Sequence, residues 1–423
     1  MTSLRAAKDS SSPSSSVPLP TPGSERAPVR PPGVVVAAQA ADLRDHLADW
    51  EELARTASEP NPFYEPWHFL PALEAFSNQR HRRFLFLYGQ PERLAGGVLA
   101  PAPLIGFVPM SCRRFMPGTP LCVSDMWTHP YCFLATPLLR SGREDEALDL
   151  LFGWFAQDRL GTSLWRLEQV SGDGPFARAL MDLSFRHGRP RFLVGGHARA
   201  LIEPLASSGE AYLSNAMHNR RVKEIRRKQR QLREKGNVEP RALQSGEAVE
   251  PWIDQFLALE AAGWKGKGGT AFASDPAHAQ FFRQMCLGAH QAGKLEMLGL
   301  WLNGQPIAMK CNLGDARGLF AFKIAFDESH APQSPGVLLE AFNIDRLHQL
   351  RHTRWMDSCA VPGHFMISRM WTERRLIQNL WLSTGRGIGD TLVSLMPLAQ
   401  WCKRKLSTLL RRRPAVASVS TEE

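Results

Sequence analysis

The run Ser334-Pro335-Gly336-Val337 opens an apolar helical repeat directly after a polar loop (Asp327–Gln333) and an apolar strand (Leu319–Phe326) that contains one lysine, Lys323. Serine is a good N-cap, and proline suits the first helical position, where its missing N–H costs nothing. Val337, Leu338, Ala341, Phe342, Ile344 and Leu347 then recur at helical spacing. A strand running into a helix that starts with small residues aims free backbone N–H groups at one point, an anion site whose commonest guest is phosphate. The same residues would serve a plain capped core helix, so the neighbours must decide. Lys323 is costly to bury unpaired; Asp357, Glu340 or a phosphate is its expected partner. Asp327 and Glu328 follow this strand and Asp357 follows the next. Carboxylates there could act as a general base or simply cap a loop. Trp264 and Lys265 end a predicted helix, where they would line an acceptor cleft or serve as core packing and a helix-dipole partner. His330 and His364 are loop histidines, able to relay a proton but equally suited to solvent.

A second concentration of chemistry lies upstream. His218–Lys235 holds nine Lys/Arg against Glu224 and Glu234, so much of the formal charge of +10 is local to one face. Arg220, Arg221, Lys223, Arg227, Lys228 and Arg230 surround a thin apolar stripe of Val222, Ile225 and Leu232. Such a helix could track nucleic-acid phosphates, attract an anionic substrate, or be a solvated face. No nucleic-acid motif or stacking aromatic accompanies it, and nucleic acid is not expected as the partner. G-x-S-x-G, Walker A, G-x-G-x-x-G after a strand and H-E-x-x-H are all missing, which removes support from hydrolase, nucleotidase and dehydrogenase readings.

These residues need a scaffold, and 423 residues with 43% hydrophobic and 22% charged content allow two ordinary domains. Seven cysteines form no C-x-x-C pair and no zinc-spaced cluster, so free thiols and no metal are expected. Without an N-terminal apolar h-region or a run of about 18 apolar residues, the expected setting is cytoplasmic. Residues 1–32 are Ser/Pro-rich and expected to be disordered. Helices are predicted over Asp42–Thr56, Glu144–Asp158, Pro175–Arg186, Ser214–Lys235, Glu247–Gly263 and Ala277–Ala292. Arg83–Leu104 reads as a hairpin, Pro/Gly-rich sequence up to Leu121 as loop, and Ser163–Val170 as a strand. Leu295–Leu302, Gln305–Leu313 and Gly318–Phe326 read as a three-strand meander, its first turn the hairpin signal Asn303-Gly304. Strands Trp355–Cys359 and Arg374–Trp381 follow. Gly387–Arg413 fits a basic amphipathic helix broken at Pro397, able to lie on an anionic membrane or dock on its own domain.

The second half resembles the GNAT acyl-CoA N-acyltransferase superfamily, more closely its CelD-like branch related to FemAB-type tandem-GNAT proteins. The resemblance is carried by RRKQRQLREKG (Arg226–Gly236), LEAAGWKGKGGTAF (Leu259–Phe272), FFRQM (Phe281–Met285), NGQPIAM (Asn303–Met309), FKIAFDE (Phe322–Glu328), SPGVLLEA (Ser334–Ala341) and MDSCA (Met356–Ala360). It covers Leu201–Leu382 well; in the first half it rests on NPFYEPW (Asn61–Trp67), the hairpin and HPYCFLATPLL (His129–Leu139). It implies an α+β chain of two tandem GNAT-like units, residues 33–200 and 201–385, each a mixed, mostly antiparallel sheet with helices on both faces, followed by a basic tail over 386–423. It further implies transfer of an acyl group, acetyl above all, from acyl-CoA to an amine on a small molecule or glycan, with no metal. Phe322, Lys323, Ile324 and Ala325 would hold the thioester, and Ser334, Pro335, Gly336 and Val337 the pyrophosphate. Asp327 and Asp357 are the candidate bases, and Trp264, Lys265 and Arg227 the candidate substrate contacts. SPGV replaces the superfamily's Q/R-x-x-G-x-G/A loop, and FemAB-type relatives use aminoacyl-tRNA as donor, so the donor stays open between the two. A non-catalytic scaffold on the same fold, recruited to anionic polymer, membrane or nucleic acid, is the competing expectation.

Overall fold

The computed structural model describes residues 30–76, 81–93, 99–119, 121–158, 161–350 and 352–411. The expected disordered tail lies outside these residues up to position 29. In chain order the strands are β1 (Gly33–Ala37), β2 (Arg82–Tyr88), β3 (Leu104–Arg114), β4 (Cys122–Met126), β5 (Leu138–Leu139), β6 (Thr162–Ser171), β7 (Arg191–Ile202), β8 (Val238–Ala242), β9 (Leu295–Leu302), β10 (Gln305–Asp315), β11 (Gly318–Phe326), β12 (Met356–Asp357) and β13 (Glu373–Ser383). The helices are α1 (Ala40–Arg44), α2 (Leu47–Thr56), α3 (Pro66–Ala75), α4 (Glu144–Gln157), α5 (Pro175–Arg186), α6 (Gly209–Ala216), α7 (Asn219–Arg233), α8 (Glu250–Ala262), α9 (Trp264–Lys267), α10 (Pro276–Gln291), α11 (Pro335–Gln349), α12 (Ile367–Met370) and α13 (Gly389–Arg411).

One sheet runs through the described residues in the order β1-β2-β3-β4-β6-β13-β7-β12-β11-β10-β9-β8, with β5 beside β3. Its pairings are antiparallel except β4–β6 and β11–β12. Each half therefore repeats one plan, in which antiparallel strands lead through a helix (α4 or α11) to a parallel strand. The seam is β13, which comes late in the chain yet lies between β6 and β7 and pairs with both. Ile377, Leu380 and Leu382 bury its inner face in the large core that residues of both halves form.

Local signals act where the residues predict. Asn303 and Gly304 both take positive φ, 51° and 79°, as a two-residue hairpin turn of this handedness requires. Elsewhere tertiary contacts change the outcome. The partner of β2 is β3, in the segment expected to be loop; residues 94–98 of the expected second strand lie outside the described residues. The basic helix is broken at Met217–His218, where His218 caps α7 by accepting from the Arg220 N–H. The Asp42–Thr56 helix is likewise divided into α1 and α2.

Candidate active site

Strands β11 and β12 pair in parallel for two residue pairs, Leu319–Met356 and Phe320–Asp357, and β12 pairs with β7 over the same two residues. Beyond that layer the ladder ends. Ser358 still donates to the Ala200 carbonyl, and Cys359 takes a left-handed φ of 52°. From there, among the described residues, no strand pairs with β11 on this side over Ala321–Phe326 or with β7 on the facing side before Leu201.

A β-bulge sits at this parting. Cys311 of β10 is opposite Lys323 and Asn312 is opposite Ala321, which leaves Phe322 as the extra residue. Bulges re-aim side chains beside functional sites. Here Phe322 and Lys323, although adjacent, turn to the same side, while Ala321, Ile324 and Phe326 pack toward α11. The Lys323 ammonium lies over the rings of Tyr131 (4.8 Å), Phe272 (5.4 Å) and Phe133 (5.7 Å). Two of these rings come from the first half of the chain. Burial, reinforced by the nearby Lys265 charge, lowers the Lys323 pKa to about 8. The expected carboxylate partners are elsewhere. Glu340 is fully buried against Lys310 at 2.5 Å, and also accepts from Asn343 and Trp371. Asp357 is fully buried between Arg375 (3.3 Å) and Arg199 (3.6 Å) and accepts from the Cys359 N–H.

Asp327 and Asp357 are thus not brought together. Asp327 stands beyond the far end of β11, where it accepts from the Ser329 N–H, whereas Asp357 is level with Phe320. The Asp357 cluster instead joins the two halves. Arg375 also reaches Glu59 (3.2 Å), and Arg199 donates to the Phe133 carbonyl at 2.7 Å, holding that residue beside Lys323. On the β7 wall, the Arg199 Nε and the His197 Nε2 are buried without hydrogen-bond partners among the described residues. His197 is held below the usual histidine range by burial and by the Arg199 charge. Its ring is therefore neutral near pH 7 and able to accept a proton.

Lys265 bonds Glu260 (2.8 Å) and the Ile324 carbonyl (3.0 Å), so it braces the active strand. Trp264 is 59% exposed, and its backbone N–H is held by Glu328. Ser334 occupies the N-cap position, but with φ 52° and no side-chain cap bond, because the preceding turn Glu328–Gln333 delivers the chain in a left-handed conformation. Ser334 and Val337 line a cleft of about 280 Å³ with Arg221 and Lys228 of α7 and Arg369 of α12. The basic helix and the start of α11 therefore converge on one cavity, with three cations and Glu224 on its walls. Arg227 is outside this lining, exposed and paired with Glu224. The sequence reading passed over Tyr131, Phe133, His197 and Arg199; the aromatic HPYCFLATPLL run was the one local signal that pointed to any of them.

Among the described residues there is no group of three or more His, Cys, Asp or Glu arranged to hold a metal. Residues 219–361 match the family model for an acetyltransferase (GNAT) domain. No curated protein matches the chain in sequence. Among solved structures, FemX shares the fold with a TM-score of 0.51 at 7% identity, over 82% of this chain and 96% of that one. A conserved protein of unknown function from Bacteroides thetaiotaomicron VPI-5482 aligns with a TM-score of 0.48 at 11% identity, over 82% and 97%. A tandem GNAT protein from the clavulanic acid biosynthesis pathway aligns at 0.38 and 12%, over 84% and 99%.

Proposed function

We propose that this chain, which belongs to the GNAT superfamily, is an N-acyltransferase that moves an acyl group from acyl-CoA to an amine by direct attack. The observation that carries this reading is the parallel pair β11–β12, which holds for two residue pairs and then parts beside a bulge in β11, the strand whose Phe326 packs on Gly336 of α11. A thioester laid in the opening would have the unpaired edge of β11 on one side. Backbone N–H groups there, with the Lys323 ammonium, can meet the oxygen that becomes negative in the tetrahedral intermediate. As the amine nitrogen bonds to the carbonyl carbon, its surplus proton passes to neutral His197 on the opposite wall. Collapse of the intermediate breaks the C–S bond and the thiolate leaves. Asp357 does not take a proton in this scheme; through Arg199 it positions Phe133 and the Lys323 cage.

The chain lacks the glycine-rich loop that would wrap a diphosphate, and the cations of the α7–α11–α12 cleft substitute for it. Arg side chains suit this role because their planar fork matches phosphate oxygens. We assign acetyl as the acyl group. The acceptor we assign is an amine on a small molecule or glycan, a polysaccharide or cell-envelope precursor met at the inner membrane face.

Thermal shift with acetyl-CoA and longer acyl-CoAs, followed by mass spectrometry of an amine panel, tests the reading. Acyl-CoA should raise the melting temperature, Arg221→Glu with Arg369→Glu should remove most of that shift, and an N-acylated product should form. A shift with aminoacyl-tRNA but with no acyl-CoA would overturn the donor assignment. Binding of polyanions without any acyl transfer would favour the scaffold reading instead.

A further inference from the structure

Helix α13 is built in two unlike halves. Over Gly389–Met396, Val393 is 1% exposed, and Leu392 and Met396 pack with it against Leu121, Val123, Leu164, Phe192 and Trp381. Asp390 accepts from the Ser383 hydroxyl and ties this half to β13. Pro397 removes the backbone bond to the turn before it, but the expected break does not occur and the helix runs on through it to Arg411. From Pro397 to Ser407 every residue is exposed except Gln400, which is partly covered.

The exposed face of α13, which begins at Leu395 and continues through the free half, is not polar. Leu395, Leu398, Trp401 and Leu406 are 51%, 57%, 56% and 60% exposed. Leu395, Leu398, Cys402 and Leu406 recur at i, i+3, i+7 and i+11, one continuous stripe on a helix. Lys403 and Lys405 border it, and the Lys405 ammonium lies 5.8 Å from the Trp401 ring centre. From Thr391 to Ser420 the sequence has six basic residues, Lys403, Arg404, Lys405, Arg411, Arg412 and Arg413, and no acidic one. Among the described residues no helix is long and apolar enough to cross a membrane.

We propose that the half of α13 from Pro397 onward is an in-plane anchor to an anionic lipid bilayer. An apolar stripe with a tryptophan, bordered by lysines whose stems can lie along it while their charges reach headgroups, is the composition that binds at a bilayer interface. The uniformly positive charge selects anionic lipid over neutral lipid. The proposal rests on α13 alone and stands or falls separately from the acyl-transfer chemistry.

The test is sedimentation of the full chain with vesicles of phosphatidylcholine, alone or mixed with phosphatidylglycerol. The protein should pellet with the mixed vesicles, weakly with the neutral ones, and less as salt rises. Lys403→Glu/Arg404→Glu/Lys405→Glu should weaken binding by at least about a hundredfold, taking roughly fivefold for each positive charge removed. Leu398→Glu/Trp401→Glu should abolish it with the melting temperature unchanged, since both side chains are exposed. Equal pelleting of Leu398→Glu/Trp401→Glu and wild type would overturn the proposal. So would a wild-type chain that stays in solution with both vesicles, or one that forms a dimer lost in Leu398→Glu/Trp401→Glu, which would assign the stripe to a second copy.

Discussion

Replacing Lys323 with methionine should stabilise the fold at neutral pH while sharply slowing transfer. The folded-state pKa is lowered from 10.5 to about 8, so the unfolded chain takes up this proton first as pH falls. The wild-type protein thus loses stability between pH 10.5 and 8, and the cost is fully present below pH 8. At 1.36 kcal/mol per pKa unit, the shift corresponds to about 3 kcal/mol. Methionine keeps the apolar and sulfur–aromatic contacts without the buried charge. Its net gain near pH 7 is therefore about 3 kcal/mol. The sharper quantity is the pH dependence. The stability difference between Lys323→Met and wild type, from urea midpoints, should swing by about 3 kcal/mol toward wild type between pH 8 and pH 10.5. Over the same substitution kcat should fall by about two to three orders of magnitude, as when one oxyanion donor is removed. A difference that stays flat across pH 8–10.5 would show that Lys323 is not held as a costly cation. A variant less stable at every pH would make the residue structural.

Two further outcomes follow from the buried charges. His68 is fully buried with both ring nitrogens unpartnered among the described residues, and burial pulls its pKa to about 3. Its neutral form is therefore favoured in the fold, and stability should fall as pH drops below 6.5, at up to about 1.4 kcal/mol per pH unit from this residue. In acid denaturation series His68→Phe should be the flatter of the two proteins; parallel curves would rule this out. The Lys310–Glu340 pair is buried, and Glu340 also accepts from Asn343 and Trp371. Glu340→Ala should cost about 3–5 kcal/mol by stranding the lysine, whereas Glu340→Leu with Lys310→Met should be close to neutral. Equal losses for both, measured by calorimetry, would refute that account.

Much of the scaffold was legible because its signals are local. The Asn303-Gly304 turn, the strand at Leu319–Phe326, the Pro335 helix start and the repeat of α10 are each determined within a few residues. The same holds for the basic face of α7, whose charge is a property of one stretch. What failed was pairing over distance. β3 was hidden by its Pro and Gly neighbours, and β7, with no clean alternation, draws its strand character from lying between β12 and β13. The break at Met217–His218 arises because α6 and α7 pack on different parts of α11, which no helical period records.

The site divides along the same line. Sequence alone determined that a strand with one lysine runs into a helix start, and that a cationic helix lies upstream. It could not determine what faces that lysine. Tyr131 and Phe133 come from almost two hundred residues earlier, and Phe272 from fifty earlier. The bulge that turns Lys323 toward them exists only because β10 and β11 pair with one residue to spare. Asp357, the natural partner on paper, is drawn instead to two arginines on neighbouring strands, because a buried carboxylate is held where paired charges surround it. Periodicity and capping are short-range physics; which buried charge meets which partner is settled by the packing of the whole sheet.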